Sequence, residues 1–219
     1  MNRRSIILSV GAFAAAGFGG AAWYATRSAS DADVERVPPE VASALIRPYS
    51  PVLGPNDAPV TIVEFFDPAC ETCRAFHPIV KDLMAEHGDT VRVVIRYTPL
   101  HGPVSELAIR ILEAARMQGN FEPVLERILG GQQLWASHGG MKPENLLMLA
   151  EEAGLDMAAA ESQLMAPQTT GVINQDKADL VIVGVKQTPT FFVNGRPMPS
   201  FGERQLRDLV ADEVRLVGS

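Results

Sequence analysis

The sequence predicts an α/β domain, and three observations carry that expectation. The run Val60-Thr61-Ile62-Val63-Glu64-Phe65-Phe66 is apolar, β-branched and aromatic, and Pro59 and Pro68 flank it, which is the pattern of a buried strand. After the turn Asp67-Pro68, residues Phe76, Val80, Leu83 and Met84 recur at helical spacing, so a helix opening near Cys70 packs one face on that strand. Past Gly88, Val91, Val93, Ile95 and Tyr97 alternate with Arg92 and Arg96 as a second strand. Strand, helix and strand in succession predict parallel neighbours joined right-handedly.

The remaining elements follow from the same rules. Residues 31–50 read as a linker with one short helix, Pro39 to Ile46, whose Val41, Leu45 and Ile46 are expected to dock on the domain in preference to another subunit. Pro51 to Gly54 reads as a short edge strand, and Asn56 to Pro59 as the turn into the main strand. From Pro103 to Gly184 the pattern becomes helical. Val104, Leu107, Ala108, Ile111, Leu112 and Ala115 form one stripe, and further helices are expected at Phe121–Leu129, Pro143–Ala153, Asp156–Met165 and Thr169–Val183. Gly130-Gly131 and His138-Gly139-Gly140 punctuate them. The chain returns to β at Thr190–Val193. Asn194-Gly195 is a strong two-residue hairpin signal, and Pro197 in the partner strand predicts a sheet edge. Ser200-Phe201-Gly202-Glu203 has capping-box spacing before a last helix marked by Leu206, Leu209, Val210 and Val214.

Composition narrows the partners. The 219 residues carry a net charge of −7, and three of the 19 Lys+Arg precede residue 31 while all 26 Asp+Glu follow residue 30. So acidic a body, without a basic block, argues against nucleic acid and anionic membrane surfaces. Arg3 and Arg4, then Ile6 to Ala25 without a charge, then Ser28-Ala29-Ser30, make residues 1–30 a signal peptide cut after Ser30, or an N-terminal membrane anchor. Arg3-Arg4-Ser5-Ile6-Ile7 also resembles a twin-arginine export signal. Each reading places the domain outside the cytoplasm, where disulfides persist.

The two cysteines, Cys70 and Cys73, carry the chemistry. A helix start offers unpaired N–H groups and the positive end of the dipole, both favouring a thiolate. The thiolate is the attacking species, so Cys70, the outer of the pair, is the expected nucleophile and Cys73 the resolving thiol. A purely structural bridge over so short a loop would constrain the unfolded chain little. Zinc needs two more ligands, and His77, His87, His101 and His138 lack paired spacing. Two thiolates also suit Cu(I), so a Cu(I)-binding module is the alternative from another class. His77 and Trp135 read as packing or surface residues without a role, and His138 is a candidate for lining a substrate groove.

Together these landmarks resemble the thioredoxin superfamily, and within it the DsbA-like branch. Cys70-Glu71-Thr72-Cys73 opens a helix after the strand, Glu64 lies six residues before Cys70, Pro78 five after Cys73, and Thr188-Pro189 just before Thr190–Val193. The resemblance implies a thioredoxin fold (51–102 and 185–217) interrupted by a helical insertion (103–184). It implies a cis Pro189 facing the cysteines, with the Thr188 backbone pairing with an extended substrate segment. It makes Glu64 a buried proton acceptor for Cys73, relayed by water, where the alternative is an edge-facing acid. No metal or cofactor is implied. The implied activity is a periplasmic protein thiol–disulfide oxidoreductase acting on cysteine-containing exported proteins. Its membrane redox partner would be DsbB-like for a dithiol oxidase, or DsbD-like for a reductase or isomerase. Strong oxidases of the branch resemble Cys-Pro-His-Cys. Here Glu71 and Thr72 occupy the middle places as redox-tuning residues, and the Glu71 charge is expected to raise the Cys70 pKa relative to that type.

Overall fold

The structure, a computed structural model, describes residues 36–137 and 140–218. The expectations for residues 1–30 and for His138 fall outside those residues. A helix α1 (Pro39–Leu45) precedes β1 (Val52–Leu53) and β2 (Val60–Phe66); α2 (Glu71–His87) and a 3₁₀ turn (Gly88–Thr90) lead to β3 (Val91–Tyr97). Then come α3 (Pro103–Met117), α4 (Phe121–Gly130), the four-residue α5 (Gln132–Trp135), the short strands β4 (Ala136–Ser137) and β5 (Gly140–Met141), α6 (Pro143–Glu152), α7 (Met157–Leu164) and α8 (Pro167–Val183). β6 (Thr190–Val193), β7 (Arg196–Pro197) and α9 (Glu203–Val217) complete the chain. This is a thioredoxin fold with helices inserted between β3 and β6.

The main sheet has the order β1-β3-β2-β6-β7. β2 and β3 are parallel, from Val60 beside Val91 to Phe66 beside Tyr97, and β6 runs antiparallel to β2 with Glu64 opposite Phe191. Because side chains alternate across a strand, this register sorts the residues onto two faces. Val60, Ile62, Phe66, Val93, Ile95, Tyr97, Phe191 and Val193 belong to one large core with Cys73, Phe76, Val80 and Leu83 of α2 and Leu206, Leu209 and Val210 of α9. That core continues into Ile109, Ile111, Leu112, Val124, Ile128 and Trp135, so the helical insertion is packed against the sheet domain rather than merely tethered to it. Val63, Phe65, Val94 and Phe192 form a smaller cluster on the other face with Leu45, Leu180 and Val183.

Local chemistry explains the boundaries. Gly88 ends α2 at φ 52°, a left-handed value that a side chain resists. Asn194 and Gly195, at φ 48° and 80°, make the tight hairpin between β6 and β7. Asp156 caps α7, its side chain accepting from Ala158 N–H and Ala159 N–H. Pro78 lies inside α2.

Several expectations need correction. Ser200 does not cap the last helix: Gly202 is the N-cap, no side chain caps it, and a Cβ at 202 would meet the Gln205 side chain at 2.3 Å. In α1 Leu45 is buried, but the chain turns extended at Ile46, which stays 43% exposed. The Gly-rich stretch read as punctuation contains α5 and the β4–β5 hairpin. Arg96, which alternates with the apolar residues of its strand, is nonetheless fully buried with Asp176 and Asp179 (2.8 and 2.6 Å), which also hold Tyr49 and Arg47. Tyr97 N–H donates to Asp176 as well, and Arg96 Nη1 donates to the Ala44 carbonyl, so this charged cluster ties α1 and α8 to β3.

Candidate active site

The site forms where β2 gives way to α2. Cys70 is the N-cap of the helix, with extended backbone, and Cys73 sits one turn in. Cys70 is 6% exposed and Cys73 fully buried, and both are free thiols. The Cys70 thiol donates to the Thr188 carbonyl at 3.3 Å, while Asp67 N–H donates to Cys73 Sγ at 3.5 Å. The two sulfurs therefore sit in different surroundings, although they are three residues apart.

Their acidities separate accordingly. The Cys70 pKa is lowered to about 5, first by a hydrogen bond from Cys73 that outweighs the opposing effect of burial. The Thr188 side chain and the backbone N–H groups of Cys73 and Thr72 lower it further. Thr72 thus acts through its backbone N–H, and Glu71 is the first residue of the helix. Both of these residues are exposed. Cys73 moves the other way: burial pushes its pKa far up, and its hydrogen bond to Cys70 and the charges of Glu64 and Cys70 push it further.

Glu64 stands on the central strand, on the same sheet face as α2, and is 3% exposed. It is not an edge residue. Burial, then the Cys70 charge, pushes its pKa up to about 8, and its Oε1 is buried without a partner among the described residues. A carboxyl so placed exchanges a proton near neutral pH. The peptide bond Thr188–Pro189 is cis, and Thr188 faces Cys70 across the site. Beside Pro189 lies a groove of about 250 Å³ lined by Gln187, Phe191, Met198 and Phe201. Phe201 is 47% exposed and packs on Phe76 at 4.8 Å between ring centres.

Two residues hold the cysteine turn that the sequence did not single out. Asp67, fully buried, accepts from Ala69 N–H (2.9 Å), Leu100 N–H (2.8 Å) and His101 N–H (3.1 Å), and His101 Nδ1 lies 2.7 Å from its Oδ2. Its place in an Asp-Pro turn was the available signal. Gln132 reaches in from the insertion and donates to the carbonyls of Pro68 (2.7 Å) and Cys70 (3.0 Å); nothing in its sequence surroundings marks it. His77 pairs with Glu126 at 3.0 Å, and Trp135 is buried with Nε1–H donating to Ile128 O, so both pack as expected. Among the described residues no group of three or more His, Cys, Asp or Glu side chains is placed to hold a metal ion.

Two unequal thiols one helical turn apart, beside a proton-exchanging carboxyl, can pass a disulfide and take it back. The class this defines on such a fold is a thiol–disulfide oxidoreductase. A thioredoxin family model matches residues 47–212, and the chain belongs to that family, with the DsbA-like form of its fold. A thioredoxin-like oxidoreductase from Silicibacter pomeroyi DSS-3 is 33% identical over 80% of this chain and 97% of its own, with a TM-score of 0.69. BdbD from Bacillus subtilis (24% identical, 76% of this chain and 93% of its own, TM-score 0.67) and alpha-DsbA1 from Wolbachia pipientis (16%, 81% and 99%, TM-score 0.67) share the fold. A Na(+)/H(+) antiporter NhaA from Herminiimonas arsenicoxydans is 37% identical over 145 residues, covering 66% of this chain and 22% of the antiporter. The chain thus spans about a fifth of the length of the curated relatives it matches, and no transport activity is carried over from them.

Proposed function

We propose that the chain is an exported dithiol oxidase that passes a Cys70–Cys73 disulfide to cysteines of other exported proteins. A substrate thiolate attacks Cys70 Sγ of the oxidised form, and Cys73 leaves, taking its proton from Glu64 through water. A second substrate thiolate then attacks the substrate sulfur of the mixed disulfide and releases Cys70 as thiolate. Two substrate thiols are oxidised to one disulfide, and the enzyme disulfide is reduced by two electrons. The Thr188 backbone and Pro189 present the substrate segment, and the groove lined by Phe201 and Met198 takes a neighbouring apolar side chain.

The observation that carries this reading is the place of Cys70 at the N-cap of α2, facing Thr188, where its surroundings lower its pKa to about 5. A thiolate stabilised so far below an ordinary thiol leaves readily and favours the reduced enzyme, which makes the disulfide oxidising. Glu71 tempers it, placing the pair below the Pro-His type in oxidising strength. Recharging falls to a DsbB-like, quinone-linked membrane protein. A reductase or isomerase fed by a DsbD-like donor is the second reading, supported by Thr188, because isomerase relatives resemble Thr-cisPro. Periplasmic location rests on residues 1–30, and among the described residues no helix is long and apolar enough to cross a membrane.

The test is Cys73→Ala expressed in the host. Mixed disulfides should accumulate on Cys70, and capture of a quinone-linked membrane protein supports the oxidase. Capture of a membrane reductase instead moves the assignment to the second reading. No trapped partner of any kind overturns both.

A further inference from the structure

Gln132 is a buried polar residue that the exchange steps above leave without a part. It opens α5 in the insertion, 62 residues from Cys70 in sequence, and is fully buried. Its Nε2 donates to the carbonyls on either side of Ala69, those of Pro68 and Cys70, so both amide hydrogens are used. Its Oε1 is buried with no partner among the described residues. An unpaired buried acceptor is a net cost that an apolar side chain of the same length avoids. The value of a glutamine here therefore lies in its two donors.

The surroundings keep those donors in place. Gly131 lets α5 close on α6, since a Cβ there would lie 2.5 Å from Leu149 Cδ1. At the other end of α5 the indole of Trp135 is fully buried and bonded to the Ile128 carbonyl. The target is equally defined. Cys70 N–H donates to the Asp67 carbonyl at 3.0 Å, and the Cys70 carbonyl also accepts the first helical bond, from Arg74 N–H at 3.1 Å. With Asp67 holding Ala69 N–H, the cysteine turn is gripped by the strand end on one side and by the insertion on the other. The backbone angles of Cys70 decide whether its sulfur faces the N–H groups of Thr72 and Cys73 and the Thr188 carbonyl.

We propose that Gln132 is a positioning residue through which the helical insertion fixes Cys70 for disulfide exchange, an assignment that rests on the exchange reading above. Because the contact comes from the insertion, the insertion takes part in setting the reactivity of the pair.

Gln132→Met removes both donors and keeps the side-chain length. In the reduced variant the thiolate absorbance of Cys70 should titrate about one pH unit higher, a tenfold change in acidity. The equilibrium in which two glutathiones reduce the enzyme disulfide and become glutathione disulfide should shift against reduction by up to about tenfold. A role in packing alone would lower the denaturation midpoint and leave both readouts unchanged, and that result in a folded variant overturns the proposal. Should the variant not fold, the wild type decides. The side-chain amide resonances of Gln132 should follow the Cys70 titration and differ between oxidised and reduced protein, and no movement overturns the assignment. A wild type that fails to exchange with glutathione sinks the proposed function, whereas an exchanging wild type with an unaltered variant sinks only the part given to Gln132.

Discussion

Replacing Glu64 with glutamine removes a carboxyl that the fold holds neutral at a cost. Burial, then the Cys70 charge, pushes its pKa from 4.5 to about 8. A group whose folded pKa is raised contributes fully below its unfolded value and loses that contribution as pH rises through the folded value. Between pH 4.5 and 8 the wild type should therefore lose stability, with a ceiling of ~5 kcal/mol at about 1.4 kcal/mol per pH unit. The real figure is smaller, because the Cys70 thiolate is absent from the oxidised form and an interior responds as a medium of higher dielectric than dry protein. A gain of ~2 kcal/mol for oxidised Glu64→Gln at pH 8, vanishing near pH 4.5, is the expected outcome. Urea denaturation of both proteins across that range measures it. Parallel stability curves for the two proteins would refute the claim that this carboxyl is buried and raised. The same variant should slow release of Cys73 from the disulfide, since glutamine has no proton to give.

Cys73→Ala should raise the thiolate titration midpoint of Cys70 above about 5, because the Cys73 hydrogen bond is the largest influence lowering it; an unchanged midpoint would remove that explanation. Glu71→Ala should lower the same midpoint by a few tenths of a pH unit at low salt, with the effect fading as salt is added. If absorbance titration shows no difference, the electrostatic part given to Glu71 is wrong. Asp179→Ala leaves the fully buried Arg96 and the half-buried Arg47 short of a carboxylate, and should cost about 3 kcal/mol by urea denaturation. A loss below about 1 kcal/mol would mean that Asp176 alone satisfies the cluster.

Elements written in local pattern were legible before the fold was known. β2 and β3 follow from β-branched runs, and the β6–β7 hairpin from Asn194-Gly195, because strand burial and turn geometry act over a few residues. The cysteine pair needed only spacing and a helix start. What stayed hidden depends on partners distant in sequence. The burial of Arg96 has no local signal, because Asp176 and Asp179, which neutralise it, lie about eighty residues on. Gln132 resembles any polar residue in a loop until α5 carries it beneath Cys70. Glu64 stood out as a charge in an apolar strand, but its place on the face shared with Cys73 needed the register of β2 against β3 and β6. Ser200 shows the opposite failure, a correct local motif left unused because the helix begins after Gly202.

Thiol trapping in graded glutathione buffers at neutral pH decides whether Cys70 and Cys73 exchange a disulfide. Both thiols should be lost and regained together in one reversible two-electron transition, and Cys73→Ala should form a stable mixed disulfide on Cys70 alone. Thiols that stay free in every buffer, or that hold Cu(I) tightly without exchanging, would contradict the exchange.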